Sequence, residues 1–191
     1  MQRGNSRFVG KDYPAAINHF LKHAASNPVD SADAFALVAE CYRRATLPVA
    51  PINTKHGITL VTRGRKQSAE YYYRLALNAD GDHIKSLRGL ADLLPNKSDK
   101  RFELLENAVR IQPGTLTLID FGDCCRSQRK DYNRAYELYC RAQKHAPRDE
   151  TAYRRLNDIC RRLDRHEEAK QWSERWKGIK STKRNVGPPA N

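Results

Sequence analysis

The side chains of this chain best suited to chemistry are its cations. Arg43, Lys85, Arg88, Arg126, Arg154, Arg161 and Arg162 recur along the sequence, with Asp92, Asp123 and Asp158 set among them. A guanidinium offers a planar fork of donors that fits a carboxylate or a phosphate, so this combination suits anion binding more than bond breaking. The alternative is that these charges pair with one another and only solvate a surface.

Other constellations argue against catalysis. The sequence contains no G-x-x-x-x-G-K-[ST] phosphate loop, no G-x-S-x-G nucleophile elbow and no H-E-x-x-H metal motif. His19 and His23 lie four apart around Phe20, a spacing that could seat a metal on one helix face, but no third ligand is near in sequence. Packing or surface histidines are the simpler reading. Glu167 and Glu168 read as a solvated helix face. The five cysteines, Cys41, Cys124, Cys125, Cys140 and Cys160, are odd in number and lack a C-x-x-C spacing, as expected of reduced thiols in a reducing compartment. The expectation is a non-enzyme with no catalytic residue, no metal and no cofactor.

Bulk composition narrows the partners. The 191 residues carry 35 Lys and Arg against 22 Asp and Glu, a net charge of +13. That excess attracts polyanions: nucleic acid, acidic proteins or peptides, or acidic lipid surfaces. No apolar stretch approaches the roughly 20 residues needed to span a bilayer, so no membrane insertion is expected. The first residues, Met1 to Arg7, lack the apolar core of a secretory signal, and a cytoplasmic setting is the default.

The elements that must position these cations are announced by one phrase written four times. Asp12-Tyr13-Pro14-Ala15-Ala16 leads to Phe20 and closes at Pro28. Ser68-Ala69 leads to Tyr73 and Ala76 and closes at Gly81. Phe102 leads to Leu105 and Ala108 and closes at Pro113. Asp131-Tyr132 leads through Ala135 and Tyr139 to Ala142 and closes at Pro147. Small residues mark where two helices cross, large ones fill the space beside them, and proline stops each unit. Between these phrases, Leu37-Val38 with Cys41-Tyr42, Leu87 with Leu90-Ala91 and Leu94, Leu118 with Phe121-Gly122, and Tyr153 with Leu156 and Cys160 keep the three- and four-residue spacing of a buried helical stripe.

These motifs resemble the tetratricopeptide repeat (TPR) superfamily. The resemblance implies an all-α fold, a right-handed superhelical α-solenoid of helix-turn-helix repeats. The array is expected over residues 1–177, with repeats at about 1–28, 29–81, 82–113, 114–147 and 148–177, an insertion at 45–64, and a disordered basic tail at 178–191. Gly4 stands where a first-helix glycine belongs, so the opening repeat is short, and upstream repeats or a partner chain are expected at that end. Trp172 and Trp176 are expected to cover the other end. In this family the concave groove is lined by first-helix positions. Those positions fall here on Lys85, Phe35, Arg88, Ile119 and Arg154, on Ala39, Asp92, Asp123 and Asp158, and on Tyr42-Arg43, Arg126 and Arg161-Arg162. The carboxylate clamp of chaperone adaptors would need asparagine at Asp92 and Asp120, and aspartate there would repel a terminal carboxylate.

The segment Leu37 to Arg44, the long basic insertion and the run Ala69 to Ala76 are similar to one subfamily, the interferon-induced proteins with tetratricopeptide repeats. That resemblance implies a cytosolic antiviral protein of innate immunity that binds RNA in a positively charged channel. Arg43, Arg88, Arg126, Arg154 and Arg161 would then hold backbone phosphates. The sequence leans toward this RNA-binding reading. A protein–protein interaction scaffold, with a peptide or partner helix in the groove, is the alternative.

Overall fold

The computed structural model describes residues 2–45 and 65–185. The insertion read at 45–64 lies, but for Ala45, outside the described residues, as does the end of the chain beyond Asn185. Every described element is helical. The chain divides into two compact units, Met1–Pro95 and Asn96–Asn191.

The first unit holds α1 (Gln2–Val9), α2 (Tyr13–Ser26), α3 (Ser31–Arg44), α4 (Arg65–Ala79) and α5 (Ile84–Leu93). Each helix packs on the next in the chain. Asp12 caps α2: its side chain accepts from the Ala15 amide at 3.3 Å, and Pro14 occupies the first turn, where its missing N–H costs nothing. Pro28 opens a short 3-10 turn, Pro28–Asp30, that leads into α3. The small and large positions read from the sequence form the core. Ala16, Phe20, Ala69, Tyr73 and Ala76 are all buried. Gly4 and Gly89 let α1 and α5 approach the large residues: a Cβ at Gly4 would lie 2.6 Å from the Phe20 ring, and one at Gly89 2.5 Å from Tyr73 Cε1.

The second unit holds α6 (Asp99–Ile111), α7 (Thr115–Cys124), α8 (Tyr132–His145), α9 (Glu150–Arg162) and α10 (His166–Asn185). A π-helical turn, Cys125–Arg129, extends α7 and ends at Lys130 in the left-handed region with φ 58°. Asp131 and Asp149 cap α8 and α9 through the amides of Arg134 and Thr151. Leu105, Ala108, Leu118, Phe121, Ala135, Tyr139, Ala142 and Leu156 form the core. Gly122 repeats the close approach, its hydrogen facing the Tyr139 ring. α10 continues to Asn185, past residue 177 where the composition marks the array's end. Trp172 meets Tyr153 edge-to-face at 5.9 Å, and Trp176 lies near Arg154 and Glu150, so both indoles turn toward α9. All five cysteines are free thiols, and no group of three or more metal-ligating side chains occurs among the described residues.

Candidate binding cleft

In the first unit, α1, α3, α4 and α5 enclose an open cleft of about 390 Å³. Phe8, Ala36 and Leu37 give it an apolar wall, and Arg43, Arg44, Lys85 and Arg88 bring positive charge. Glu40 and Asp92 are its carboxylates. Four cations against two acids leave the lining net positive.

The arginines of α3 are held, not loose. Glu40 accepts two hydrogen bonds from Arg43, Nε to Oε2 at 2.6 Å and Nη2 to Oε1 at 2.7 Å, and a further one from Arg44 Nε. The Tyr73 hydroxyl donates to Glu40 Oε2 at 3.0 Å. Burial would raise the Glu40 carboxyl, but the two guanidiniums and the hydroxyl outweigh it and hold the group below its ordinary range. Hydrogen bonding to Glu40 raises Arg43 in turn. One carboxylate thus serves two guanidiniums and leaves a positive charge over. Arg44 also lies over the Phe8 ring at 5.1 Å.

At the other side of the cleft, Lys85 Nζ donates to Asp33 Oδ1 at 2.8 Å, and His83 Nε2 lies 3.3 Å from the same oxygen. These contacts tie α5 to α3 and, with Lys85 the chief cause, lower the Asp33 carboxyl. The Lys85 pair is largely exposed, so it holds little energy and a ligand can compete for it. Arg88 is half-buried in the cleft, and Asp92 is exposed at its rim.

The second unit repeats the α3 device. Asp123 accepts from Tyr139 Oη at 2.7 Å, pairs with Arg126 at 3.5 Å and with Arg155 Nη2 at 2.7 Å. Arg126 is therefore engaged within the fold. Arg154 lies over Trp176, 5.8 Å from a ring centroid. Arg161 and Arg162, in the last turn of α9, are exposed. Of the other positions assigned to a groove, Tyr42 and Ile119 are buried in their cores, Tyr42 stacked on Tyr72 at 5.7 Å.

Glu40, Arg44, Tyr73 and Phe8 also line the cleft and were not among the site residues first singled out, nor was Asp33, which holds Lys85 beside it. The Glu40–Arg43–Arg44 cluster was readable, since carboxylate and guanidiniums stand three and four apart on one helix. The Lys85–Asp33 pair joins residues of two helices and has no local signal.

No protein-family model and no curated protein matches the chain. Solved structures do resemble it. A crystal structure of MamA superposes with a TM-score of 0.71 at 14% identity, covering 97% of this chain and 99% of that one. A MamA fragment from Desulfovibrio magneticus RS-1 gives 0.64 at 12%, with 98% and 94% covered. YrrB, described as a TPR protein with an unusual peptide-binding site, gives 0.61 at 15%, with 92% and 82% covered. At such identities the likeness establishes the fold, an α-solenoid of tetratricopeptide helix pairs, and nothing finer. None of it supports the narrower resemblance to interferon-induced proteins, and most of the insertion that carried that resemblance is outside the described residues.

Proposed function

We propose that this chain is a non-enzymatic interaction scaffold that holds a short protein segment in the cleft of its first unit. The segment has an acidic residue flanked by an apolar one. The observation that carries the reading is the lining itself: Phe8 and Leu37 offer an apolar seat beside Lys85 and Arg88, and the α3 cluster has one more guanidinium than carboxylate. A volume of about 390 Å³ accepts a few side chains, the scale of a peptide anchor. The peptide-binding site reported for YrrB, a protein of the same fold, adds weight to this choice over RNA.

The test is selection of a random displayed peptide library on the full chain. Enriched peptides carrying Asp or Glu next to Leu or Phe, and binding a Leu37→Glu/Arg88→Glu variant at least about tenfold more weakly, support the reading. Failure to enrich, or equal affinity for the variant, overturns it. A titration with short single-stranded RNA runs beside it. RNA binding that is tighter than that of any selected peptide, steep in salt and lost in the same variant would replace the peptide reading with the nucleic-acid one.

A further inference from the structure

The second unit has a basic pocket that the peptide reading does not use. Arg161 at the end of α9 and His166, Ala169, Lys170 and Ser173 of α10 line a space of about 450 Å³. The four α10 residues fall at i, i+3, i+4 and i+7, one stripe of the helix. Arg161 is brought to that stripe by a tight turn. Asp164 adopts the left-handed region with φ 56°, the Arg165 amide donates to the Cys160 carbonyl at 2.9 Å, and the Asp164 amide donates to the Arg161 carbonyl at 3.3 Å. That pair of bonds is the Schellman arrangement, and it fixes the junction of the two helices.

Several other cations of the unit are already taken up by acids. Arg126 and Arg155 share Asp123, Arg129 pairs with Asp99, and Arg134 pairs with Glu106. The side chains of Arg161, His166 and Lys170 meet no carboxylate among the described residues. Glu168, two residues from both His166 and Lys170, is taken up by the Tyr136 hydroxyl and by Arg165. Glu167 and Glu174, three residues before and four after Lys170, are exposed and do not line the pocket. An unpaired cluster that mixes a guanidinium fork, an ammonium, an imidazole and a hydroxyl has more donors than a carboxylate can use. A phosphate monoester, with three acceptor oxygens and a charge near −2, uses them all.

We propose that the α9–α10 corner docks a phosphate monoester carried on a partner protein. Arg161 and Lys170 neutralise the dianion, and His166 and Ser173 donate to its remaining oxygens. The site is independent of the first-unit cleft.

The test is an NMR titration of the full chain with a short glycine-flanked phosphoserine peptide, following backbone amides and the His166 ring. Saturable shifts confined to His166, Ala169, Lys170, Ser173 and the Arg161 region are expected. The same peptide without phosphate, or with glutamate in its place, should bind at least about tenfold more weakly, as should an Arg161→Ala/Lys170→Ala variant whose melting is unchanged. Arg161→Lys, which keeps the charge and loses the fork, should fall between. Arg88→Glu in the first-unit cleft should leave the titration unaltered, so its failure and that of the peptide reading are separable. Shifts spread over exposed cations at large, or a glutamate peptide as good as the phosphorylated one, overturn the proposal. So does inorganic phosphate or oligouridylate binding this corner more tightly than the peptide, which would make it a free-anion or nucleic-acid surface.

Discussion

Tyr73 donates its hydroxyl to Glu40 across the seam between α3 and α4, at 3.0 Å. The same ring packs against the hydrogen of Gly89, so one side chain fastens a charge cluster and sets how closely α5 can lie. Tyr139 does the same in the second unit, bonding Asp123 at 2.7 Å and facing Gly122. In both, a first-helix carboxylate also engages an arginine three residues on, Arg43 or Arg126. Much of the charge that the sequence offers for ligands is thus spent on holding helix pairs together. Lys85 and Arg88 at the cleft's far side, and Arg161 and Lys170 at the α9–α10 corner, lie outside these two clusters.

Glu40→Gln should destabilise the chain at neutral pH by about 1–3 kcal/mol, because it takes the charged acceptor from two guanidiniums and a phenol. The difference should depend on pH. The native Glu40 carboxyl titrates below its ordinary 4.5, so between those values the unfolded chain holds more protons than the native one. This contribution is complete above the ordinary value and disappears as pH falls through the native one. Urea unfolding of wild type and variant should therefore differ most near neutrality and converge only as pH falls through the lowered native value. A gap that stays constant down to acid pH would show that Glu40 acts through shape alone.

Gly122→Ala should lower the melting temperature, at a cost of about 1–3 kcal/mol, since a Cβ there would lie 2.5 Å from Tyr139 Cε1. Gly178→Ala, where nothing beyond the local helix backbone lies within 4 Å of the added carbon, should be neutral or stabilising by up to about 1 kcal/mol through helix propensity. Differential scanning calorimetry of the two variants gives the comparison. Equal effects would mean that the Tyr139 ring yields freely.

These two glycines mark what local sequence can and cannot convey. Ala135, Tyr139 and Ala142 recur at the spacing of a helix crossing, and all three are buried. The fold was legible because each repeat states its own packing within one helix. The fate of the charges was legible only where both partners share a helix, as Glu40 and Arg43 do. Lys85 meets Asp33 across 52 residues, a pairing set by how α5 comes to lie beside α3. The π-helical turn after α7 was also hidden, because Lys130 takes the left-handed position where glycine would have announced it. Arg161 looked like any other last-turn arginine until the Asp164 turn placed it beside Lys170.

The native thiols should be slow to react. Burial, and for Cys41 the neighbouring Glu40 charge, pushes Cys41, Cys125 and Cys160 up to about 12. At about pH 8 the thiolate fraction of such a group is on the order of one in ten thousand. Burial raises Cys140 as well, but that residue is half-exposed and should be labelled first. Ellman's reagent should find all five thiols in guanidinium and show a slow native phase led by Cys140 in peptide mapping. Rapid native labelling of Cys41 would contradict the packing of α3 on α4.

Asn157 carries the last prediction. It is buried in α9, and its Nδ2 donates to the Ala169 carbonyl of α10 at 2.7 Å. The Ala169 oxygen also faces its own helix, so losing the amide leaves it partly satisfied. Asn157→Ala should cost about 1–2 kcal/mol. Asn157→Asp should cost more at neutral pH, because it sets a carboxylate against a carbonyl in a buried site and replaces a donor by an acceptor. The folded state would hold that carboxyl protonated to a higher pH than the unfolded chain does. The penalty is then absent in acid and grows as pH rises through the unfolded and then the folded value. Denaturant unfolding of Asn157→Asp should approach that of Asn157→Ala as pH falls toward about 4, and diverge from it at about 7. The relation is the reverse of that at Glu40: one carboxylate is held by donors, the other would be opposed by an acceptor. Should Asn157→Asp match Asn157→Ala at every pH, the α9–α10 junction would have to admit water. The fixed placement of Arg161 against Lys170 would lose its basis.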